Sequence, residues 1–416
     1  MEIGLIIKNV RKGKQLTQES LAYGICSVSH LSKIENGSKE VNEQTISLLT
    51  RKLDVDFKKI QKDIYSYKLK LNDMYKSIVY QDQESANQKY VAIKKEKDYL
   101  STLGLDLLFT IIEFRYFLFI NKKERFIISQ KSLSRKSKKF PKYEKLLFNY
   151  FNAIYNMHIG DHSKAQSIFN SLVGEPFEHY GEFYYHISLT MSMTNNSGAA
   201  ILYGIKALEL FESYNNFTRK VHTQMNLAIS YFKIGAFQES EHHYKLLLEN
   251  AQRLGDYYII SQTTHNLSLL MKKKKNFDEA ISLLKTSIKI SREIGSSCLT
   301  SLAQLVETYI ESNQPNNALE IIPEVIMLSQ KENNKAKETK YKFKFKYLSL
   351  TTEEFANSVK SLDKLEKYLF FDDIIIYCSK LIDYYQEKED YKSTIKYLEI
   401  SNKTLKKQLS QSTGGL

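Results

Sequence analysis

The chain has 416 residues, of which 42% are hydrophobic and 26% are charged, and its formal net charge is +13. This composition excludes an intrinsically disordered chain, and 15 glycines and 4 prolines are too few for the turns of an all-β protein. The length suits two or more domains, or one domain followed by a repeat array, built from helices joined by short loops.

The positive charge is concentrated in the first third of the chain. Residues 1–145 contain 29 basic and 17 acidic residues, whereas the remaining residues contain 31 and 30. This distribution is expected if the N-terminal end meets a polyanion such as DNA, and a solvated lysine-rich surface is the alternative.

Cysteine usage and hydropathy favour a cytoplasmic protein. Cys26, Cys298 and Cys378 are odd in number and form no CxxC pair, so we expect neither a disulfide framework nor a zinc ribbon. The most apolar window, residues 103–120, is interrupted by charged residues that include Arg115, and it predicts a buried helix rather than a membrane span.

Residues 1–60 show the apolar spacing of four short helices. Thr17 is placed to cap the second helix, Ser27 or Ser29 the third, and Asn42 the fourth. Gly37 follows Asn36 where the third helix should end. Two short helices separated by about four residues predict a helix-turn-helix unit that binds duplex DNA.

Two motifs in this stretch carry a specific resemblance. LTQESLA at 16–22 and LSKIENG at 31–37 resemble the DNA-binding domain of lambda-repressor-like bacterial regulators, although the segment between the motifs is one residue shorter than is typical. The resemblance implies a buried, structural ion pair between Arg11 and Glu35.

The resemblance and the helical geometry together assign DNA contacts. Leu31 and Ile34 should face the core, so the opposite face of the third helix should enter the major groove, where its side chains can contact base edges. This face consists of Val28, Ser29, Ser32 and Lys33. Phosphate contacts are expected from Gln18, Asn36, Ser38 and Lys39, and from His30 unless it is an exposed residue without a role.

The second half of the chain repeats with a period near 40 residues. Residues 223–255 and 263–295 align without a gap, and each predicts two helices followed by a glycine. Helical hairpins of this kind are typical of tetratricopeptide repeats. Weaker copies occur at 152–172, 187–211, 305–328 and 374–405.

We therefore predict an all-α protein in which a helix-turn-helix domain is followed by a right-handed superhelix of about nine hairpins, whose first helices line a concave groove. The predicted domain limits are 1–62 for the helix-turn-helix, 63–140 for a helical connection with the first hairpins, and 141–416 for the repeats.

Two asparagines recur at one position of adjacent repeats. Asn226 and Asn266 each offer a donor and an acceptor, as is needed to clamp a peptide bond of an extended ligand. The alternative is that each asparagine bonds to a neighbouring helix inside the repeat array. His186 and Gln304 lie at or near the equivalent positions of flanking repeats and are further candidates.

Over its full length the chain resembles the Rap, Rgg, NprR, PlcR and PrgX group of peptide-responsive quorum-sensing regulators, and NprR most in length and repeat count. The resemblance implies a cytoplasmic transcriptional regulator that binds double-stranded DNA as a homodimer or higher oligomer and is controlled by a short signalling peptide. Two alternatives remain, a Rap-type protein that dephosphorylates or sequesters a response regulator, and a phage or plasmid repressor that uses its repeats only to oligomerise.

No nucleotide-binding, hydrolase or metalloprotease motif occurs, so we expect neither an enzyme nor a cofactor.

Overall fold

The computed structural model describes residues 3–37, 42–177, 179–359 and 362–413, and these residues form helices joined by turns and loops, without a strand. The predicted all-α fold class is thereby confirmed. The chain divides into two compact units, an N-terminal unit of residues 1–243 and a C-terminal unit of residues 244–416.

Four short helices open the N-terminal unit: α1 (Ile3–Gly13), α2 (Gln18–Ala22), α3 (Val28–Glu35) and α4 (Glu43–Lys52). Their starts follow the predicted caps. Thr17 accepts a hydrogen bond from the backbone N–H of Ser20, Ser27 accepts one from His30, and Asn42 caps α4. Side-chain oxygens at these positions satisfy amides that the first turn leaves without partners. Gly37, at φ +68°, follows α3 in the left-handed conformation that glycine adopts easily.

Helix α1 crosses α3 at very short range through Gly4. A Cβ atom at this position would lie 1.7 Å from the carbonyl oxygen of Ile34. Only glycine permits this approach, which brings the side chains of Ile7 and Val10 into the core with Leu31.

A long helix, α5 (Phe57–Val79), leads from this domain into helical hairpins. The hairpins of the N-terminal unit use α6 (Gln83–Lys95), α7 (Lys97–Thr102), α8 (Asp106–Phe119), α9 (Lys123–Lys136), a 3₁₀ helix (Ser137–Lys139), α10 (Lys142–His158), α11 (His162–Leu172), α12 (Tyr180–Met193), α13 (Ser197–Ser213) and α14 (Phe217–Lys233). Helix α15 (Phe237–Leu254) contains the division between the two units.

The domain limit predicted at residue 62 falls inside α5. One hydrophobic core extends from Ile6 to Ala200, and the side chain of Asn9 in α1 donates to the backbone oxygen of Ser101 in α7 at 3.2 Å. The helix-turn-helix residues therefore pack against the first hairpins, and the limits at 62 and 140 stay predictions.

The C-terminal unit continues the pattern of paired helices. It contains α16 (Tyr257–Lys273), α17 (Phe277–Glu293), α18 (Leu299–Glu311), α19 (Pro315–Lys331), α20 (Lys335–Ser349), α21 (Thr352–Ser358), α22 (Asp363–Lys367), α23 (Phe371–Glu387) and α24 (Tyr391–Thr413). Gly255 and Gly295, the predicted repeat ends, follow α15 and α17 at φ +65° and +68°. The two aligned sequence repeats thus form α14 with α15 and α16 with α17.

We expect Gly4→Ala to lower the melting temperature of the protein. The added methyl group overlaps the backbone of α3, so α1 and α3 must separate, and such overpacking costs about 1–3 kcal/mol. Thermal unfolding followed by circular dichroism measures the effect.

Gly13→Ala is the matched control, because a Cβ at Gly13 meets nothing within 4 Å. Its melting temperature should equal or slightly exceed that of the wild type, since alanine favours helix over glycine. Equal melting temperatures for the two variants would contradict the close contact between α1 and α3.

Candidate nucleic-acid interface and peptide site

Helix α3 is anchored to the domain by a buried ion pair. Arg11 donates from Nε to one Glu35 carboxylate oxygen at 2.6 Å and from Nη2 to the other at 2.9 Å. A third bond from Arg11 reaches the backbone oxygen of Leu16 at 2.7 Å. Burial alone would raise the pKa of Glu35, but the hydrogen bonds from Arg11 and Gln18 outweigh burial and lower the pKa. The predicted structural pair is confirmed, and it fixes the rotation of α3.

This rotation decides which α3 side chains face solvent. Leu31 and Ile34 are fully buried, as predicted, whereas Val28, Ser29 and Lys33 are exposed. His30 and Ser32 are half-buried beside them. In a major groove, the cation of Lys33 can contact guanine and the hydroxyl of Ser29 can contact several bases. The apolar side chain of Val28 can contact the methyl group of thymine.

The flanking residues predicted to hold phosphates differ in their surroundings. Gln18 donates from Nε2 to Glu35 at 2.8 Å, so its amide is engaged inside the domain. Asn36 is exposed, and its Oδ1 accepts a hydrogen bond from Lys8 Nζ at 3.0 Å. Ser38 and Lys39 lie outside the described residues.

Basic and aromatic side chains elsewhere in the helix-turn-helix residues were not predicted from the sequence. Lys8 reaches α3 from α1, and Lys52 donates to the backbone oxygen of Tyr23, whose side chain is 82% exposed. At a nucleic-acid surface, an exposed aromatic ring can stack on a base, and a neighbouring lysine supplies a positive charge. No motif marks these residues, because they come from different helices.

The four peptide candidates lie in different environments. Asn226 is buried, and its Nδ2 donates to Ser188 Oγ in α12 at 2.7 Å. Asn266 in α16 is half-buried. Gln304 in α18 has a buried Nε2 atom without a hydrogen-bond partner. The bond to Ser188 is the kind that the alternative interpretation of Asn226 requires, so the clamp stays a prediction.

His186, the fourth candidate, belongs to a buried polar network. Its Nδ1 lies 2.9 Å from the hydroxyl of Tyr150, and burial lowers the pKa of His186 well below its usual range. Tyr150 also contacts Glu182, which lies one helical turn before His186 in α12. The imidazole is therefore neutral at neutral pH and polar on both ring nitrogens.

Glu182 is the centre of this network and was not predicted. Its Oε1 accepts hydrogen bonds from Arg115 at 2.7 Å and from Arg219 at 2.8 Å, and its Oε2 accepts one from Tyr75 at 2.9 Å. Burial would raise the pKa of Glu182, but the nearby positive charges outweigh burial and lower it. The signal that could have found the network is Arg115 itself, because a charge within an apolar helix requires a buried partner.

Metal ligation and membrane insertion find no support in the part of the chain that the structure describes. Across those residues, no three histidine, cysteine or acidic side chains come together in a group able to bind a metal ion. None of the described helices combines the length and the apolar character needed to cross a bilayer.

Two family profiles match the chain. The helix-turn-helix profile matches residues 7–60, and the tetratricopeptide repeat profile matches residues 220–293. The transcriptional activator NprA of Geobacillus stearothermophilus is 26% identical over 409 residues, which cover 94% of this chain and 100% of NprA. The sequence likeness therefore extends over the whole of that relative.

Solved structures share the fold at lower identity. The apo form of the quorum sensor NprR from B. thuringiensis superposes with a TM-score of 0.71 at 16% identity and covers 82% of this chain and 99% of NprR. NprR in complex with its cognate peptide NprX gives 0.60 at 18% identity, with 83% and 98% coverage. The apo form of RapI gives 0.63 at 18% identity, with 82% and 98% coverage.

We expect Glu35→Gln to lower the free energy of unfolding at neutral pH by about 3 kcal/mol, because it leaves Arg11 buried without a counter-charge. The pKa of Glu35 is lower in the folded chain than in the unfolded chain, where it is about 4.3. The contribution is therefore present above about pH 4.3 and is lost as the pH falls through the folded pKa. Urea denaturation at a series of pH values measures both effects.

Glu19→Gln serves as the control, because Glu19 is an exposed acid in the neighbouring helix α2. The difference between wild type and Glu35→Gln should narrow below about pH 4, while Glu19→Gln should follow the wild type throughout. A constant difference down to pH 2 would show that the Glu35 charge is not what stabilises the domain.

Proposed function

We propose that this chain is a DNA-binding transcriptional regulator controlled by a short signalling peptide, because it is similar over its whole length to the transcriptional activator NprA and matches both the helix-turn-helix and the tetratricopeptide repeat profiles. The observation that carries the proposal is the exposed polar face of α3, held in place by a buried ion pair and joined to helical repeats within one unit. We propose that the protein acts in the cytoplasm.

The DNA part of the proposal rests on charge and on geometry. Lys33, Ser29 and Val28 are exposed together on a helix whose rotation is fixed, so they can enter a major groove without reordering the domain. Reading two half-sites requires two copies of α3, and we propose a homodimer whose recognition helices are spaced by about one turn of DNA or a multiple of it.

The peptide part rests on the repeats. The relative NprR has a structure in complex with its cognate peptide, and this chain shares the fold of that protein. We propose that Asn226 of α14 and Asn266 of α16, which recur one repeat apart in the sequence, bind the backbone of an extended peptide, and that His186 and Gln304 of the flanking repeats are further contacts. In this proposal the hydrogen bond that Asn226 Nδ2 donates to Ser188 Oγ holds the amide in one orientation.

The alternatives predict different behaviour. A Rap-type role, sequestering or dephosphorylating a response regulator, would not need the helix-turn-helix that this chain carries at residues 7–60. A repressor that uses its repeats only for oligomerisation would bind its operator without responding to any peptide. Operator binding and its response to peptide therefore separate the three functions.

We expect Lys33→Ala to weaken binding to the operator by about 1–3 kcal/mol and to relax the base preference at one position, because Lys33 is the exposed cation of α3. Selection of operators from a random duplex library, followed by fluorescence anisotropy, measures both. Lys289→Ala is the control, since Lys289 is an exposed lysine in α17. Unchanged affinity and preference for Lys33→Ala would contradict the proposed orientation of α3.

We expect Asn226→Ala to weaken the affinity for the signalling peptide by about 5- to 150-fold, because a desolvated peptide bond would lose its partners. The peptide is first selected from a short-peptide library by its effect on operator binding. Calorimetry gives the affinity, and thermal unfolding gives the stability of each variant.

Ser188→Ala separates the clamp from a purely internal role. It removes the partner of Asn226 within the protein and leaves the amide itself in place. If Asn226→Ala and Ser188→Ala lower the melting temperature equally and neither changes peptide affinity, Asn226 is structural and the peptide binds elsewhere.

A further inference from the structure

A cavity of about 320 Å³ lies in the N-terminal unit among α8, α10, α12 and α14. Its apolar lining residues are Leu118, Phe119, Ile154, Met157, Leu189 and Met193. Its polar lining residues, called the polar side below, are Gln81, Arg115, His158, Tyr185, His186 and Arg219. Its volume is at the small end of the range for ligand pockets, so it suits a group the size of one residue rather than a whole peptide.

The polar side carries an excess of positive charge. Arg115 and Arg219 both donate to the same oxygen of Glu182, so a single carboxylate balances two guanidinium groups. Tyr75 and Tyr150 occupy the second oxygen of that carboxylate and add no charge. The cavity therefore has one uncompensated positive charge at its polar side.

The two histidines on this side do not add to the charge at neutral pH. Burial lowers the pKa of His186 and also that of His158, and at His186 burial outweighs the charge of Glu182, which raises the pKa. The titratable and charged groups around them include Arg115, Arg219, Glu182, Tyr150 and Tyr185, whose ring centroid lies 5.4 Å from that of His186.

One donor on this side has no partner. Arg115 is 3% exposed, and its Nε atom is buried without a hydrogen bond. The corresponding Nε of Arg219 is satisfied, because it donates to the backbone oxygen of Val79 at 3.2 Å. Leaving a buried charged donor unpaired is unfavourable, so an acceptor from outside the chain would be favoured at Arg115.

We propose that this cavity binds a carboxylate group attached to a short apolar side chain, which is the chemistry of the C-terminal residue of a peptide. The carboxylate accepts hydrogen bonds at Arg115, and the apolar side chain packs between Leu118 and Leu189. The assignment of this group to the signalling peptide rests on the function proposed above.

The test uses the full-length protein and small probes. N-acetyl-leucine carries the carboxylate and the apolar side chain, N-acetyl-leucinamide replaces only the carboxylate with a neutral amide, and acetate lacks the side chain. Titration followed by NMR should show N-acetyl-leucine binding at least about tenfold more tightly than either of the other probes, since charge-assisted bonds and burial of the side chain both contribute.

Two variants locate the binding. Arg115→Lys keeps a positive charge beside Glu182 but removes the Nε–H, and Leu189→Trp fills the cavity without changing its charge. Each should weaken N-acetyl-leucine binding by at least about tenfold. Leu202→Trp, at an exposed position of α13 in the same unit, should bind as the wild type does.

The melting temperature of each variant is measured to confirm that it folds. If Arg115→Lys does not fold, the affinity of Leu189→Trp for N-acetyl-leucine provides the test. Equal affinity for the acid and the amide, or binding that Leu189→Trp leaves unchanged, would overturn the site. Acetate binding as tightly as N-acetyl-leucine would overturn its assignment to a peptide end. These titrations contain no DNA, so they test the cavity alone. Failure to bind an operator would refute the proposed function and is measured in a separate experiment.

Discussion

The carboxylate of Glu182 is the interaction on which the N-terminal unit depends. It lies on α12 and accepts hydrogen bonds from Tyr75 of α5, Arg115 of α8, Tyr150 of α10 and Arg219 of α14. A buried carboxylate is tolerated only when its partners are in place, and removing one partner of a buried pair costs about 3–5 kcal/mol. Apolar contacts alone specify the positions of these helices along one another less strictly than directional hydrogen bonds do. The shared acceptor Glu182 therefore defines how α5, α8, α10 and α14 are aligned with α12.

The same network lies close to the helices that present α3. Helix α5 supplies Tyr75 to Glu182 and begins directly after α4, while α1 contacts α7 through Asn9 and Ser101. The helix-turn-helix and the first hairpins therefore share one continuous core rather than a flexible linker. A ligand that binds Arg115 would contact α8, which packs against α5, and it could regulate the proposed DNA contacts only by binding one arrangement of these helices more tightly than another.

Local features of the sequence were sufficient to predict the helix-turn-helix and the ends of the two aligned repeats. Thr17 and Asn42 cap helices because the bond runs from a side chain to an amide three residues away. Gly255 and Gly295 end helices because a left-handed conformation at that position suits glycine. The pair of Arg11 and Glu35 came from the family resemblance, since nothing in their spacing alone requires the two to meet.

The sequence by itself determined the all-α class, the caps of α2, α3 and α4, the outward face of α3 and the presence of a charge at Arg115 within an apolar helix. Tertiary structure decided which partners the buried polar groups found. Arg115 meets Glu182 from 67 positions away, and Asn226 meets Ser188 from 38 positions away. The physical reason is range, because caps and apolar periodicity act within a few residues, whereas a buried donor takes whichever acceptor the packing of distant helices brings within about 3 Å.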